Sequence, residues 1–283
     1  MCQTEKNIFN ILKQATEILT SYNITQAKTD AEVLLCDVLN ITRNKLVTLR
    51  QEFLNKEQYT KYQQYINRRI TREPVSYILG KTEFVGLPFK IDNNVLIPRQ
   101  ETELIVEQAN EFIKKNNMST VLDLCTGSGC IAVSVAKYNP NISVTAVDIS
   151  GKALSVAKEN STINNVNNQI NFIESDMFSN IIDKNFDIII SNPPYVTADE
   201  YKNLEEEIFF EPKTAFLADT DGLEFYRIIA KKAKYFLNKK GMLLLELNAN
   251  ISSKIADLFR DFIFIKIIKD YSDLDRILIV QNG

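Results

Sequence analysis

Apolar residues recur at helical spacing from the start of the chain. Ile8, Ile11, Leu12, Ala15, Ile18 and Leu19 fall on one face of a 3.6-residue period and predict an amphipathic helix. Thr29-Asp30-Ala31-Glu32 has the form of a capping box and is expected to open a second helix through Ala31, Leu34, Leu35 and Val38. A third helix is expected after Asn55, burying Tyr62, Tyr65, Ile66 and Ile70. No strand-like segment interrupts residues 1–72, so this part reads as a small helical bundle. Between Pro74 and Pro98 the pattern changes: Phe84 to Ile91 alternates apolar residues around a Gly/Pro turn, which predicts a β-hairpin joining two domains.

Beyond a helix at about residues 101–115, strands and helices alternate. Strands are expected at 120–124, 143–147, 170–173, 186–190, 242–247, 263–268 and 276–280, with helices at 130–138, 152–160, 223–237 and 251–259 between them. Such alternation predicts a seven-stranded, doubly wound α/β sheet of Rossmann-like type with right-handed crossovers. The expected domains are residues 1–73, a linker over 74–98, and residues 99–283.

Composition narrows the chemistry. With 45% hydrophobic and 24% charged residues the chain reads as an ordinary soluble protein. No apolar run approaches a membrane span, and the first residues lack the layout of a signal peptide. The four cysteines have neither zinc-ligand spacing nor disulfide density, which suits a cytoplasmic location and no metal. There is no histidine, which excludes Ser-His-Asp and Cys-His nucleophilic catalysis and histidine-ligated metals. Residues 1–80 hold 11 basic and 8 acidic side chains, a balance of +3, and the remainder holds 22 and 28, a balance of −6. Neither suits a protein that lives on nucleic acid, and Arg68-Arg69-Ile70-Thr71-Arg72 reads as a solvated helix end.

Ligands of an open doubly wound sheet bind beyond the carboxyl ends of its strands. Four unusual segments stand there. Cys125-Thr126-Gly127-Ser128-Gly129 follows the first strand, and its glycines allow a sharp turn and close approach to a ligand. Asp148 ends the second strand, where a carboxylate can accept from both hydroxyls of a ribose or can cap the next helix. Asp176 and Met177 follow the third, suited to an adenine amine and ring face or, equally, to a cap and a core. Up to this point either a dinucleotide or S-adenosylmethionine fits.

Asn192-Pro193-Pro194-Tyr195 after the fourth strand breaks the tie. The prolines end the strand and fix the direction of the Pro193 carbonyl, Asn192 supplies an amide, and Tyr195 supplies an aromatic face. Hydride transfer has no use for a fixed amide at this place. Methylation of a planar NH₂ does, because its lone pair is delocalised. Two acceptors, Asn192 Oδ1 and the Pro193 carbonyl, can hold that nitrogen in line and favour its pyramidal, nucleophilic form.

The four-residue motif resembles that of class I S-adenosylmethionine-dependent amino-methyltransferases. Pro74 to Gly80, Val95 to Arg99, Glu101-Thr102-Glu103, and Glu211-Pro212 followed by Asp221-Gly222-Leu223 are similar to segments of the HemK/PrmC family. The resemblance covers almost the whole chain. It implies transfer of a methyl group from S-adenosyl-L-methionine, with S-adenosyl-L-homocysteine as product, to the glutamine amide in the GGQ loop of peptide-chain release factors. It implies the cofactor over residues 125–129, with Asp148 on the ribose, Asp176 and Met177 near the adenine, and Asn192 to Tyr195 on the glutamine. A sister enzyme acting on a ribosomal-protein glutamine, or an adenine-N6 methyltransferase of nucleic acid, would share the motif. No stable nucleic-acid or membrane partner is expected. The chain departs from the family pattern at Cys125, where Gly is more usual, at Gln100, where Pro is, and at Glu246-Leu247-Asn248, in place of Glu-x-Gly.

Overall fold

The structure, a computed structural model, describes residues 7–283. They form two units: residues 7–80 with Glu206–Phe210, and Lys81–Glu205 with Glu211–Gly283.

The first unit is helical. Asn7 accepts from the Asn10 N–H at 2.8 Å and caps helix α1 (Ile8–Ser21), which buries Ile8, Ile11, Ala15 and Leu19. Helix α2 (Ala27–Leu39) starts ahead of the expected capping box, so Thr29 to Glu32 lie inside it. The reason is tertiary: Asp30 caps nothing but is buried, accepting from Arg69 Nε at 2.8 Å. Two short helices that apolar spacing does not reveal, α3 (Arg43–Thr48) and α5 (Val75–Leu79), flank α4 (Lys56–Arg69). Asn55 and Gln58 form a complete capping box on α4, which buries Tyr62 and Ile66, whereas Tyr65 and Ile70 are half-buried.

The arginines at the end of α4 are not a solvated helix end. Arg69 is 7% exposed and pairs with both Asp30 and Glu207; Arg72 faces Glu206 and Glu207, and Arg68 pairs with Glu73. The basic run is consumed by carboxylates. Two of its partners, Glu206 and Glu207, come from the 3-10 turn Glu206–Phe210, far away in the sequence.

In the second unit the hairpin β1 (Lys81–Phe84) and β2 (Leu87–Lys90) sends Phe84 and Phe89 into the core, edge to face at 6.1 Å. Thereafter come α6 (Glu103–Asn116), β3 (Thr120–Leu124), α7 (Cys130–Tyr138), β4 (Ser143–Asp148), α8 (Gly151–Ile163), β5 (Ile170–Glu174) and β6 (Phe186–Ser191). A short α9 (Ala198–Tyr201) precedes α10 (Glu224–Phe236), β7 (Leu237–Glu246), α11 (Ser252–Leu258), β8 (Phe264–Lys269) and β9 (Asp275–Gln281). β7 begins well before Met242 because its polar start, Asn238-Lys239-Lys240, carries no apolar signal.

The strand order is β5-β4-β3-β6-β7-β9-β8, parallel except that β9 runs antiparallel to both β7 and β8. Alternate residues of the central strands feed two cores. Val121, Ile188 and Ile190 join one layer with α6 and α7; Leu122, Leu124 and Ile189 join the other with α10 and α11. The chain leaves β3 toward β4 but leaves the adjacent β6 toward β7, so the loops after β3 and β6 flank the switch point.

Candidate active site

The turn after β3 is tied from beneath. Asp123, fully buried, accepts from Thr126 Oγ1 at 2.6 Å and from the Ala132 N–H at 3.2 Å. Burial pushes its carboxyl up to about 7, against the pull of those two donors. Thr126 N–H donates to Val147 O and Gly129 N–H to Thr126 O, at 2.9 and 2.8 Å. Cys125, Gly127 and Gly129 all take positive φ, at 60°, 55° and 77°. The glycine usual at position 125 would adopt this freely, whereas a side chain there costs on the order of 1–2 kcal/mol. Cys125 Sγ lies 3.7 Å from Met177 Sδ, and burial keeps the thiol protonated.

The two glycines do different work. A Cβ on Gly129 would stand 2.9 Å from the Ala157 Cβ, so this residue lets α7 and α8 approach and does not line the cavity. A Cβ on Gly127 would meet nothing within 4 Å; its open side faces the cavity, where a ligand can approach the backbone.

Asp148 closes the neighbouring wall. Its Oδ2 accepts from the Gly127 N–H at 2.8 Å and its Oδ1 from the Ser150 N–H at 2.9 Å. Burial raises its carboxyl above the ordinary value, and these backbone donors oppose the shift. An ionised carboxylate has about four acceptor positions, which these backbone donors do not exhaust, leaving room for hydroxyls of a ligand. Asp176 is exposed at the rim and Met177 is buried against the floor.

These groups surround a cavity of about 460 Å³, within the size range of small-molecule sites. Cys125, Thr126, Gly127, Ser128, Asp148, Asp176, Met177, Asn192 and Pro194 all line it. Pro193 is buried and Tyr195 packs on the core beside α10; neither is among the lining residues. Burial, then the nearby Glu246, raises the Tyr195 phenol, which stays protonated.

Asn192 stands at the end of β6, where the prolines lift the chain out of the sheet. Its Nδ2 donates to Thr102 Oγ1 at 3.3 Å, and Thr102 Oγ1 donates to Glu246 Oε2 at 2.6 Å. Asn192 Oδ1 accepts from no described residue. Glu211, also buried, holds the loop before α6 by accepting from Ile97 N–H and from Arg99. Thr102, Glu246 and Glu211 were not legible as site residues from pattern or spacing. The signals were that Glu101-Thr102-Glu103 and Glu211-Pro212 carry the family resemblance and that Glu246 stands where the family's Glu-x-Gly has its Glu.

Among known proteins, a family model described as "Methyltransferase small domain" matches residues 101–272, and one described as "PrmC N-terminal domain" matches residues 10–80. A release factor glutamine methyltransferase of Fusobacterium nucleatum is 37% identical over 99% of this chain and 80% of its own length. One from Thermodesulfovibrio yellowstonii is 38% identical over 93% of this chain and 94% of its own. The chain belongs to the release factor glutamine methyltransferase family. The fold agrees with a solved Thermus thermophilus 16S rRNA methyltransferase in complex with AdoMet and guanosine, with a TM-score of 0.53 at 18% identity, covering 72% of this chain and 50% of that one. Membership makes the chain a methyltransferase. No helix among the described residues is long and apolar enough to cross a membrane, and no three His, Cys, Asp or Glu side chains among them gather as a metal cluster.

The cavity suits the methyl donor of such an enzyme. The bare face of Gly127, the remaining acceptor positions of Asp148 and the apolar wall of Val147, Met177 and Phe225 match a nucleoside with a hydroxylated ribose.

Proposed function

We propose that the protein transfers the methyl group of S-adenosyl-L-methionine to the side-chain amide nitrogen of a glutamine in peptide-chain release factors. The observation that carries this reading is the Asn192 amide at the cavity wall, with Nδ2 tied to Thr102 and Oδ1 without a partner among the described residues. Bound S-adenosyl-L-methionine would supply an electrophilic methyl group and leave as S-adenosyl-L-homocysteine. Asp148 would hold its ribose, Asp176 and Met177 its adenine, and residues 125–128 its amino-acid end.

Asn192 Oδ1 and the Pro193 carbonyl would accept from the substrate NH₂. Those bonds withdraw the nitrogen from conjugation with its carbonyl and strengthen as it pyramidalises. As the N–C bond forms, the S–C bond of the donor would break with its electron pair left on sulfur, and the nitrogen would pass one proton to solvent water. Tyr195 would steady the backbone on which the motif turns. The helical unit of residues 7–80 would recognise the release factor, since the methyl-donor site is built entirely from the second unit.

Mass spectrometry of purified release factor after incubation with enzyme and S-adenosyl-L-methionine tests the reading. A gain of one CH₂ on a single glutamine is expected. Transfer instead to a ribosomal protein, to nucleic acid, or to nothing would overturn it.

A further inference from the structure

A side-chain amide has two ends of nearly equal shape and opposite polarity. Asn192 can serve as an acceptor for an NH₂ group only with Oδ1 toward it, and nothing in its own covalent structure prefers that orientation. The neighbouring hydroxyl decides it. Thr102 has one hydroxyl proton, and at 2.6 Å it goes to Glu246 Oε2. Toward Asn192, then, Thr102 Oγ1 has only lone pairs to offer, and it can face Nδ2 but not Oδ1. Thr102 and Glu246 are each 3% exposed, so water does not compete for either group. Burial raises the Glu246 carboxyl to about 7, opposed by the Thr102 hydrogen bond and then by Arg276 and Arg99, and the carboxylate present above that value is the form that takes the Thr102 proton.

We infer that Thr102 and Glu246 are positioning residues that lock the Asn192 amide with Oδ1 toward the cavity, so that the site presents an acceptor to the substrate nitrogen. The inference rests on the reading of Asn192 as the acceptor for that nitrogen. Without the lock the amide is free to turn over, and its reversed form sets N–H against N–H. Neither partner touches the substrate in this role. Thr102 acts on Asn192 directly, 90 residues away in the sequence, and Glu246 acts through Thr102, 144 residues from it.

Two measurements on the whole chain test this. In the protein without substrate, NMR hydrogen exchange of the Asn192 side-chain NH₂ is expected to be slow in wild type and in Thr102→Ser, and at least about fivefold faster in Thr102→Val. In single-turnover methylation of release factor, Thr102→Val is expected to slow transfer about fivefold to tenfold, with KM for the protein substrate unchanged and most of the rate restored in Thr102→Ser. In an Asn192→Ala background the same Thr102→Val change should alter the rate less than about twofold, because a residue that acts only through another has nothing left to act on. Equal slowing in both backgrounds, or unchanged exchange, overturns the lock. If Thr102→Val does not fold, Glu246→Leu reaches the lock from its other end with the same expected pattern. A wild-type enzyme that methylates no release factor overturns the proposed function instead, and the exchange measurement still decides the lock.

Discussion

The backbone N–H of Gly127 lies 2.8 Å from Asp148 Oδ2, which binds the turn after β3 to the end of β4. One carboxylate thus shapes the glycine turn and faces the cavity. Asp148→Ala removes the turn's anchor together with the acceptors offered to a ribose. Hydrogen bonds to a charged group contribute about 1.5–3 kcal/mol each, so affinity for S-adenosyl-L-methionine should fall by at least about tenfold. Calorimetry reads this directly, and an unchanged Kd would remove Asp148 from the site.

Asn192→Ala deletes the proposed acceptor while leaving both prolines and the glycine turn. The bond in question strengthens only as the nitrogen pyramidalises, so turnover should suffer more than binding. A loss on the order of 10²–10³-fold in the methyl-transfer step is expected, as for other preorganised catalytic hydrogen bonds. Single-turnover kinetics on release factor supply the measurement, and a near-normal rate would reduce the motif to a strand terminator.

Arg69 is the hub of the helical unit, buried between Asp30 at 2.8 Å and Glu207 at 2.9 Å. Arg69→Met keeps the bulk but strands the buried Asp30 carboxylate and leaves Glu207 to Arg72 alone. The cost should be about 3–5 kcal/mol, the range for breaking a buried pair from one side. Limited proteolysis should then cut within residues 7–80 or 206–210, while calorimetry still detects S-adenosyl-L-methionine binding by the second unit. Resistance to protease equal to wild type would contradict this.

Four carboxylates that build the site, Asp123, Asp148, Glu211 and Glu246, are raised by burial, Asp123 and Glu246 to about 7. A raised carboxyl binds its proton more tightly in the folded state than in the unfolded one. Its contribution to stability is therefore fully present below about pH 4, its unfolded value, and is lost as the pH rises through the folded value near 7. Each group acts with a limiting slope of about 1.4 kcal/mol per pH unit. The melting temperature should fall between about pH 5 and 7.5, and Asp123→Asn, which still accepts from Thr126, should flatten the decline. A melting temperature that rises over this window would refute the assignment.

Much of this protein follows from local pattern. Strands buried on both faces are predominantly apolar, so Val121 to Leu124 and Phe186 to Ile190, each interrupted by one aspartate, were readable as strands of a central sheet. Gly127 was legible because a turn at positive φ needs it, and Asn192 because two prolines after a buried strand demand a reason. The end of each strand lies at the same edge of a doubly wound sheet, so topology alone gathers Asp148, Asp176 and Asn192 about one cavity. What tertiary structure decided are the polar partnerships between residues distant in sequence. Asp30 had the spacing of a helix cap, but Arg69 on α4 claims it, because a buried guanidinium must be paired. Glu206–Phe210 sits in the catalytic sequence yet joins the helical unit, drawn by the same arginine and by Arg72. Thr102 and Glu246 meet Asn192 only when α6, β6 and β7 come together. Hydrophobic periodicity records which face of an element is buried. It carries no information about which buried donor will find which acceptor, since that depends on distances that exist only after the elements have packed.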